Sequence, residues 1–162
     1  MNRKFNIRKS KASDVLHLGV NLRQADRDEI KAGGSGMSGY QALHECFIKS
    51  KNTGCFTAAD SATDKPLAMF GVASNPELKG VGYIWLLGSE ELTDEYRIQF
   101  IQECRGFVDK LMADYEMLCN FVWEQNTVHI RWLKWCGFNL RPKNGLEPPG
   151  FIFFYKGKNT LT

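Results

Sequence analysis

The sequence predicts an α/β (α+β) fold with a mixed sheet and flanking helices, and three observations predict it. Short runs of β-branched and aromatic residues alternate with longer segments whose apolar residues recur at helical spacing. Two of the short runs flank a polar, turn-rich stretch, the pattern of a β-hairpin. The resulting order is strand, helices, hairpin and strand, helix, strand, helix, strand, which a mixed sheet with helices accommodates. A length of 162 residues corresponds to about one domain, so residues 1–162 are expected to form a single unit around one sheet.

Each element has a local reason. Ser13 or Asp14 can cap a helix with Val15, Leu16, Leu18, Leu22 and Ala25 near helical spacing. Ala32 to Gly39 carries Gly33, Gly34, Gly36 and Gly39, which cannot hold a helix and predict a mobile loop within the domain. Tyr40, Leu43, Phe47 and Ile48 resume the helical pattern. Gly54 to Ala59 and Leu67 to Val72 flank the turn-rich Asp60 to Pro66, and Val81 to Leu87 adds a third strand. The longest helix is expected from about Thr93 to Tyr115, with Ile101, Cys104, Val108, Leu111, Met112 and Tyr115 on its buried face. Met117 to Val122 reads as a strand. Asn126 then caps a helix carrying Val128, Trp132, Trp135 and Cys136, and Gly137 closes it. Phe151 to Tyr155, nearly all aromatic or β-branched, is the last strand, expected to be buried on both faces or against a partner.

Composition narrows the function. With 43% hydrophobic and 24% charged residues the chain is too apolar for disorder, and its longest apolar runs are far shorter than the ~20 residues of a membrane-spanning helix. The basic start, Met1 to Lys9, has no apolar stretch of the kind a secretory signal needs, so the protein is expected to work where it is made. Five cysteines without a CxxC pair suggest buried free thiols rather than a disulfide framework or a zinc knuckle. His44-Glu45 has no further ligand at metal spacing, and no metal is expected. The net charge of +3 collects at the chain ends without a nucleic-acid recognition motif, which argues against a nucleic-acid partner. The aromatics near the C-terminus, among them Trp123, Trp132 and Trp135, are read mostly as core, with some available as interface anchors.

This order of elements, with two local patterns, resembles the GNAT (GCN5-related N-acetyltransferase) family. Ile7-Arg8, with Ile7 seven residues ahead of Asp14, resembles that family's first strand and helix start. Asn126, Ile130 and Gly137-Phe138 are similar to the pattern in which an asparagine opens the fourth helix and Gly-Phe closes it. The resemblance implies a mixed sheet that splays at its centre, between the strand ending Trp85 to Gly88 and that of Cys119 to Val122. More narrowly, Asn21 to Ile30, Trp85 to Ser89 and His129 to Phe138 resemble small internal virion proteins of T7-like short-tailed phages, some described as acetyltransferase-like.

Within that family a glycine-rich loop at a helix N-terminus holds the CoA pyrophosphate on backbone N–H groups. The corresponding stretch here, Gly88 to Glu95, has no further glycine and no basic residue, and it places Glu90, Glu91, Asp94 and Glu95 where phosphates would sit. A helix N-terminus favours an anion by about 0.3–1 kcal/mol. Each carboxylate ~4 Å away opposes it by about 1 kcal/mol even in water. The plainer role of these acids is to complement the dipole of the long helix. The position where many family members carry a proton-donating tyrosine is Leu133. The resemblance therefore implies a degenerate acetyltransferase, a phage virion or assembly factor that binds a protein partner in the host cytoplasm and is packaged in the virion, with no cofactor. The alternative it implies is an acetyl-CoA-dependent N-acetyltransferase. Glu29 and His129 are then the catalytic candidates, with Leu86, Leu87, Gly88 and Asn126 as the CoA-binding ones. A plainer reading leaves Asp26 to Glu29 as a solvated helix end and His129 on the surface.

Overall fold

Residues 2–50, 52 and 54–158 are described by the computed structural model; the remaining positions of the expected 1–162 unit lie outside the described residues. Seven strands form one sheet: β1 (Phe5–Lys9), β2 (Cys55–Asp60), β3 (Pro66–Ser74), β4 (Val81–Gly88), β5 (Met117–Trp123), β6 (Asn139–Leu140) and β7 (Phe151–Gly157). Their order is β1-β2-β3-β4-β5-β7-β6. Every neighbouring pair is antiparallel except β4 and β5, which are parallel.

The period-two alternation of the strands divides the apolar residues between two helical layers. Met69 and Leu87 face α1 (Ala12–Gly19), α2 (Gln24–Ala32) and α3 (Gly39–Ser50), and pack with Val15, Leu18, Leu22 and Leu43. On the opposite face Val72, Leu118 and Phe154 meet Cys104 and Val108 of α5 (Arg97–Met112) and Leu133 of α6 (Thr127–Trp135). The short α4 (Glu90–Asp94) buries Leu92 beside Phe5 and Ala68.

The resemblance to a splayed sheet holds in detail. β4 and β5 pair only from Val81 to Tyr83 against Met117 to Cys119. Beyond that point they part, and the Asn120 side-chain amide donates to the Ile84 carbonyl at 2.9 Å where a backbone ladder would have continued. The Ile7-Arg8 pattern has a mechanical basis: Arg8 makes two hydrogen bonds to Asp14, of 2.8 and 2.9 Å, tying β1 to α1. Burial pushes the Asp14 carboxyl up, but Arg8, the Lys11 N–H and the Thr57 hydroxyl together hold it below its ordinary value.

Several expectations are corrected. The first helix is two helices, because the Arg23 N–H donates to the Gly88 carbonyl and pins the chain to the end of β4. Asp14 caps from inside the first turn, and Leu16 faces solvent. The long helix is α4 followed by α5, parted at Tyr96, whose buried ring sends its hydroxyl to Asp60 at 2.6 Å. Ile101 consequently faces outward, as do Val128 and Trp135 of α6. Strand β7 buries Phe151 and Phe154 but leaves Phe153 and Tyr155 half-exposed. The two-residue β6 has too little pattern to be read from sequence. All five cysteines are free.

The end of α6 is built as the Asn126 to Gly137 spacing requires. Gly137 has a φ of 91°, the Phe138 N–H reaches the Leu133 carbonyl and the Gly137 N–H that of Lys134, which is a Schellman closure. Alanine at Gly137 is expected to lower stability by about 1–2 kcal/mol, because an L side chain is disfavoured at that φ. Urea denaturation of Gly137→Ala checks this.

Candidate functional site

The open end of the β4–β5 wedge is spanned by α2. The Asp26 carboxylate accepts from the Gly88 N–H at 3.0 Å, and Gly88 C=O accepts from the Arg23 N–H at 2.8 Å. Three residues further along α2, on the same helix face, Glu29 accepts from the Trp123 N–H of β5 at 2.7 Å. One helix thus holds the ends of both parting strands. Asp26 is only 1% exposed and is paired with Arg23 at 2.8 Å. The reading of Asp26 to Glu29 as a solvated helix end is therefore corrected for Asp26 and Glu29, which face the gap, and stands for exposed Arg27.

His129 is also inside. Its side chain, 11% exposed, comes from the first turn of α6 on the opposite layer and meets α2 through the gap, with Nδ1 4.0 Å from Glu29 Oε2. Burial lowers its pKa to about 4, so the imidazole is neutral at physiological pH and this contact is not an ion pair. Burial acts on Glu29 in the opposite sense. It raises the carboxyl to about 7; the Trp123 N–H pulls it down in part, and the Asp26 charge adds to the rise. His129 Nδ1 and the Asn126 amide nitrogen are buried without a hydrogen-bond partner. Asn126 itself caps α6, its side-chain oxygen 3.4 Å from the His129 N–H.

The proposed CoA contacts are placed unequally. Ile84 and Gly88 both turn their backbone groups toward the gap, so by alternation Leu86 does the same. Gly88 is already engaged by Arg23 and Asp26. Leu87 turns toward β3, opposite Met69, with its side chain in the α1–α3 core. Of the CoA candidates on β4, Leu86 presents gap-facing backbone groups with no hydrogen bond to α2 among the described residues. Leu133, at the acid position, lies in the core between α5 and β7.

A cavity of about 190 Å³ occupies the wedge, bordered by Glu29, Leu86, Asn120 and His129 and reaching Phe70 and Phe107 under α5. Between the end of β4 and the start of α6 lies a second cavity, of about 40 Å³, lined by Arg23, Gly88, Val128 and His129. That holds a few waters at most. The acids after β4 are engaged as well. Glu90 accepts from the Gln24 N–H at 2.9 Å and Glu91 pairs with Lys65, so both serve α4 and its neighbours rather than the dipole of α5. These groups do not fit a pyrophosphate.

Asp26, Glu29 and His129 bring ligand atoms within 4.8 Å of one another. A cation there would meet the Arg23 guanidinium and compete with it and with the Gly88 N–H for Asp26. The cluster suits holding a proton better than a metal. Sequence reasoning treated Asp26 as a solvated end and did not single out Arg23; an Arg-x-x-Asp spacing at a helix start was the available signal, but it does not say which way the pair faces.

The fold is that of the GNAT acetyltransferases. The acetyltransferase from Agrobacterium tumefaciens str. C58 superposes with a TM-score of 0.70 at 13% identity, over 98% of this chain and 94% of its own. A GCN5-related N-acetyltransferase from Kribbella flavida gives 0.65 at 16% identity, over 95% and 98%. The spermidine N-acetyltransferase from Vibrio cholerae, in complex with CoA and spermine, gives 0.63 at 11%, over 97% of both chains. Identities at this level carry the fold and not the activity. A family model described as "Bacteriophage T7, probable scaffold protein Gp13" matches residues 77–141, which hold β4, α4, α5, β5, α6 and β6. No curated protein matches the chain.

The two buried groups have opposing linkage to pH. Glu29 binds its proton more tightly in the native state, so its contribution to stability falls as pH rises from about 4.5 to about 7. His129 binds its proton more weakly in the native state, so its contribution falls as pH drops from about 6.5 to about 4. The slopes oppose each other where the windows overlap. Glu29→Gln is expected to steepen the loss of stability on acidification from pH 6.5, and to be more stable than the unsubstituted protein above pH 7. Urea denaturation at a series of pH values reads both effects.

Proposed function

We propose that this chain is a phage-encoded GNAT-fold protein that has given up acetyl transfer and acts as a virion or assembly factor, binding another protein in the host cytoplasm and passing with it into the particle. It uses no cofactor. The observation that carries this reading is that α2 engages both backbone groups of Gly88, at the strand end where a donor would dock. The acids following that strand, the narrow cavity beside it and the apolar Leu133 support the same reading. The partial match to a phage scaffold family supports the phage setting.

A second reading rests on Glu29. A carboxyl raised to about 7 and turned into the wedge is suited to take a proton from an amine at neutral pH, close to the gap-facing backbone of Leu86. In this reading the chain is an N-acetyltransferase, and His129, neutral and of low basicity, orients rather than accepts the proton.

Calorimetric titration with acetyl-CoA separates the two. Binding is expected to be no tighter than the high-micromolar range. Glu90→Gln with Glu91→Gln should tighten it roughly tenfold by removing two opposing charges, and added salt should act in the same direction by screening. Low-micromolar binding by the unsubstituted protein, or acetyl transfer to a polyamine or peptide that Glu29→Gln abolishes, would establish the enzyme reading instead.

A further inference from the structure

Helices α5 and α6 lie side by side and run parallel. Phe100 stacks on Trp132 and, one turn further along each chain, the Cys104 thiol meets that of Cys136, each pair 32 residues apart. A steady offset along both helices means that they advance together, and two parallel helices leave a groove on their outer side. The residues turned outward repeat at i, i+3, i+7 on each helix: Ile98, Ile101 and Arg105 on α5, Val128, Arg131 and Trp135 on α6. Four of them are large apolar side chains left in solvent, with Ile98 71%, Val128 48%, Trp135 44% and Ile101 37% exposed. Apolar side chains grouped on neighbouring helix faces, rather than scattered, mark an interaction surface.

The rim of this groove is basic. Arg97, Arg131 and Lys134 are exposed and form no ion pair among the described residues. A fourth cation, Arg105, lies over the Trp135 ring at 3.7 Å and donates to the Trp135 carbonyl. That arrangement decides between two occupants. A nucleobase would need an open aromatic face, and Arg105 lies over that of Trp135. Aliphatic side chains need only the apolar floor, and acidic neighbours would pair with the rim. The acids next to this surface, Asp94 and Glu95, stand before Arg97 at one end of the groove.

We infer that the α5–α6 groove docks an acidic amphipathic helix of a partner protein, its apolar stripe on Ile98, Ile101, Val128 and Trp135 and its carboxylates on the four cations. A helix laid along α6, nine residues or about 13 Å long, engages over two to three turns with anchors at i, i+3, i+4 and i+7. Both helices fall within the residues that match the phage scaffold family model. The inference rests on the reading of this chain as a protein-binding factor and names the chemistry of its partner.

The test is fluorescence anisotropy with the full-length protein and a labelled three-heptad peptide carrying leucine at the two apolar heptad positions and glutamate beside them. Saturable binding that weakens with salt is expected. Arg131→Glu with Lys134→Glu should weaken it at least roughly tenfold, and Ile98→Ser with Val128→Ser by a similar factor. All four side chains are exposed, so unchanged urea denaturation should accompany both effects. No binding, equal affinity in the variants, equal or tighter binding when lysine replaces glutamate in the peptide, or displacement by oligothymidylate would each overturn the inference. Acetyl-CoA titration in parallel keeps the outcomes apart. Tight acetyl-CoA binding removes the non-catalytic reading and leaves a groove that binds the peptide, whereas a groove that fails while acetyl-CoA stays unbound removes the groove alone.

Discussion

The wedge between β4 and β5 is held at its mouth by a single helix, and the geometry of the site follows from that clamp. A parallel pair that stops after Tyr83 and Cys119 leaves backbone donors and acceptors without partners, and buried groups of that kind are costly. At the mouth, α2 and its N-cap supply partners: Arg23 and Asp26 serve Gly88 on one strand, and Glu29 serves Trp123 on the other. The helix is polar, and its hold on the sheet comes from hydrogen bonds at its start as much as from Ile30 on the core. Buried acids are therefore a structural requirement of the wedge before they are anything else.

Asp14 and Glu29 show how the same chemistry yields opposite electrostatics. Both are carboxylates held from solvent on the α1–α3 side of the sheet. Asp14 collects two hydrogen bonds from Arg8, one from the Lys11 N–H and one from the Thr57 hydroxyl, and stays ionised with its pKa lowered. Glu29 has the Trp123 N–H and the charge of Asp26 beside it, so burial prevails and its pKa rises to about 7. The number of donors, rather than depth alone, separates an anchor from a group that can exchange a proton. His129, the neutral neighbour across the gap, adds no positive charge that would restore Glu29 to its ordinary range.

Shared architecture and local polar contacts meet at the end of β4. The fold follows that of acetyltransferases that are only 11–16% identical. The chemistry at the end of β4 is set locally. Carboxylates bonded to Gln24 and Lys65 follow the strand, and its terminal glycine is bonded to α2. One fold can keep its core while loops and helix ends differ in their contacts, because the core depends on apolar volume and a site depends on a handful of polar directions.

The amino-acid sequence by itself determined the elements whose signals are local. The hairpin around Asp60 to Pro66, the α6 cap at Asn126 with its closure at Gly137, and the Ile7-Arg8 to Asp14 spacing depend on residues within a turn or two of one another, and all are present in the structure. The splay was legible only through resemblance to a family, since nothing in β4 or β5 alone says where their pairing stops. Three features were decided by tertiary structure: the break between α1 and α2, the separation of α4 from α5, and the inward turn of Asp26, Glu29 and His129. Each depends on a partner far away in the chain, with Arg23 meeting Gly88, Tyr96 meeting Asp60 and Glu29 meeting Trp123. Helical periodicity records which residues share a face, but whether a polar residue on that face meets water or a strand end is set by the packing of the layers.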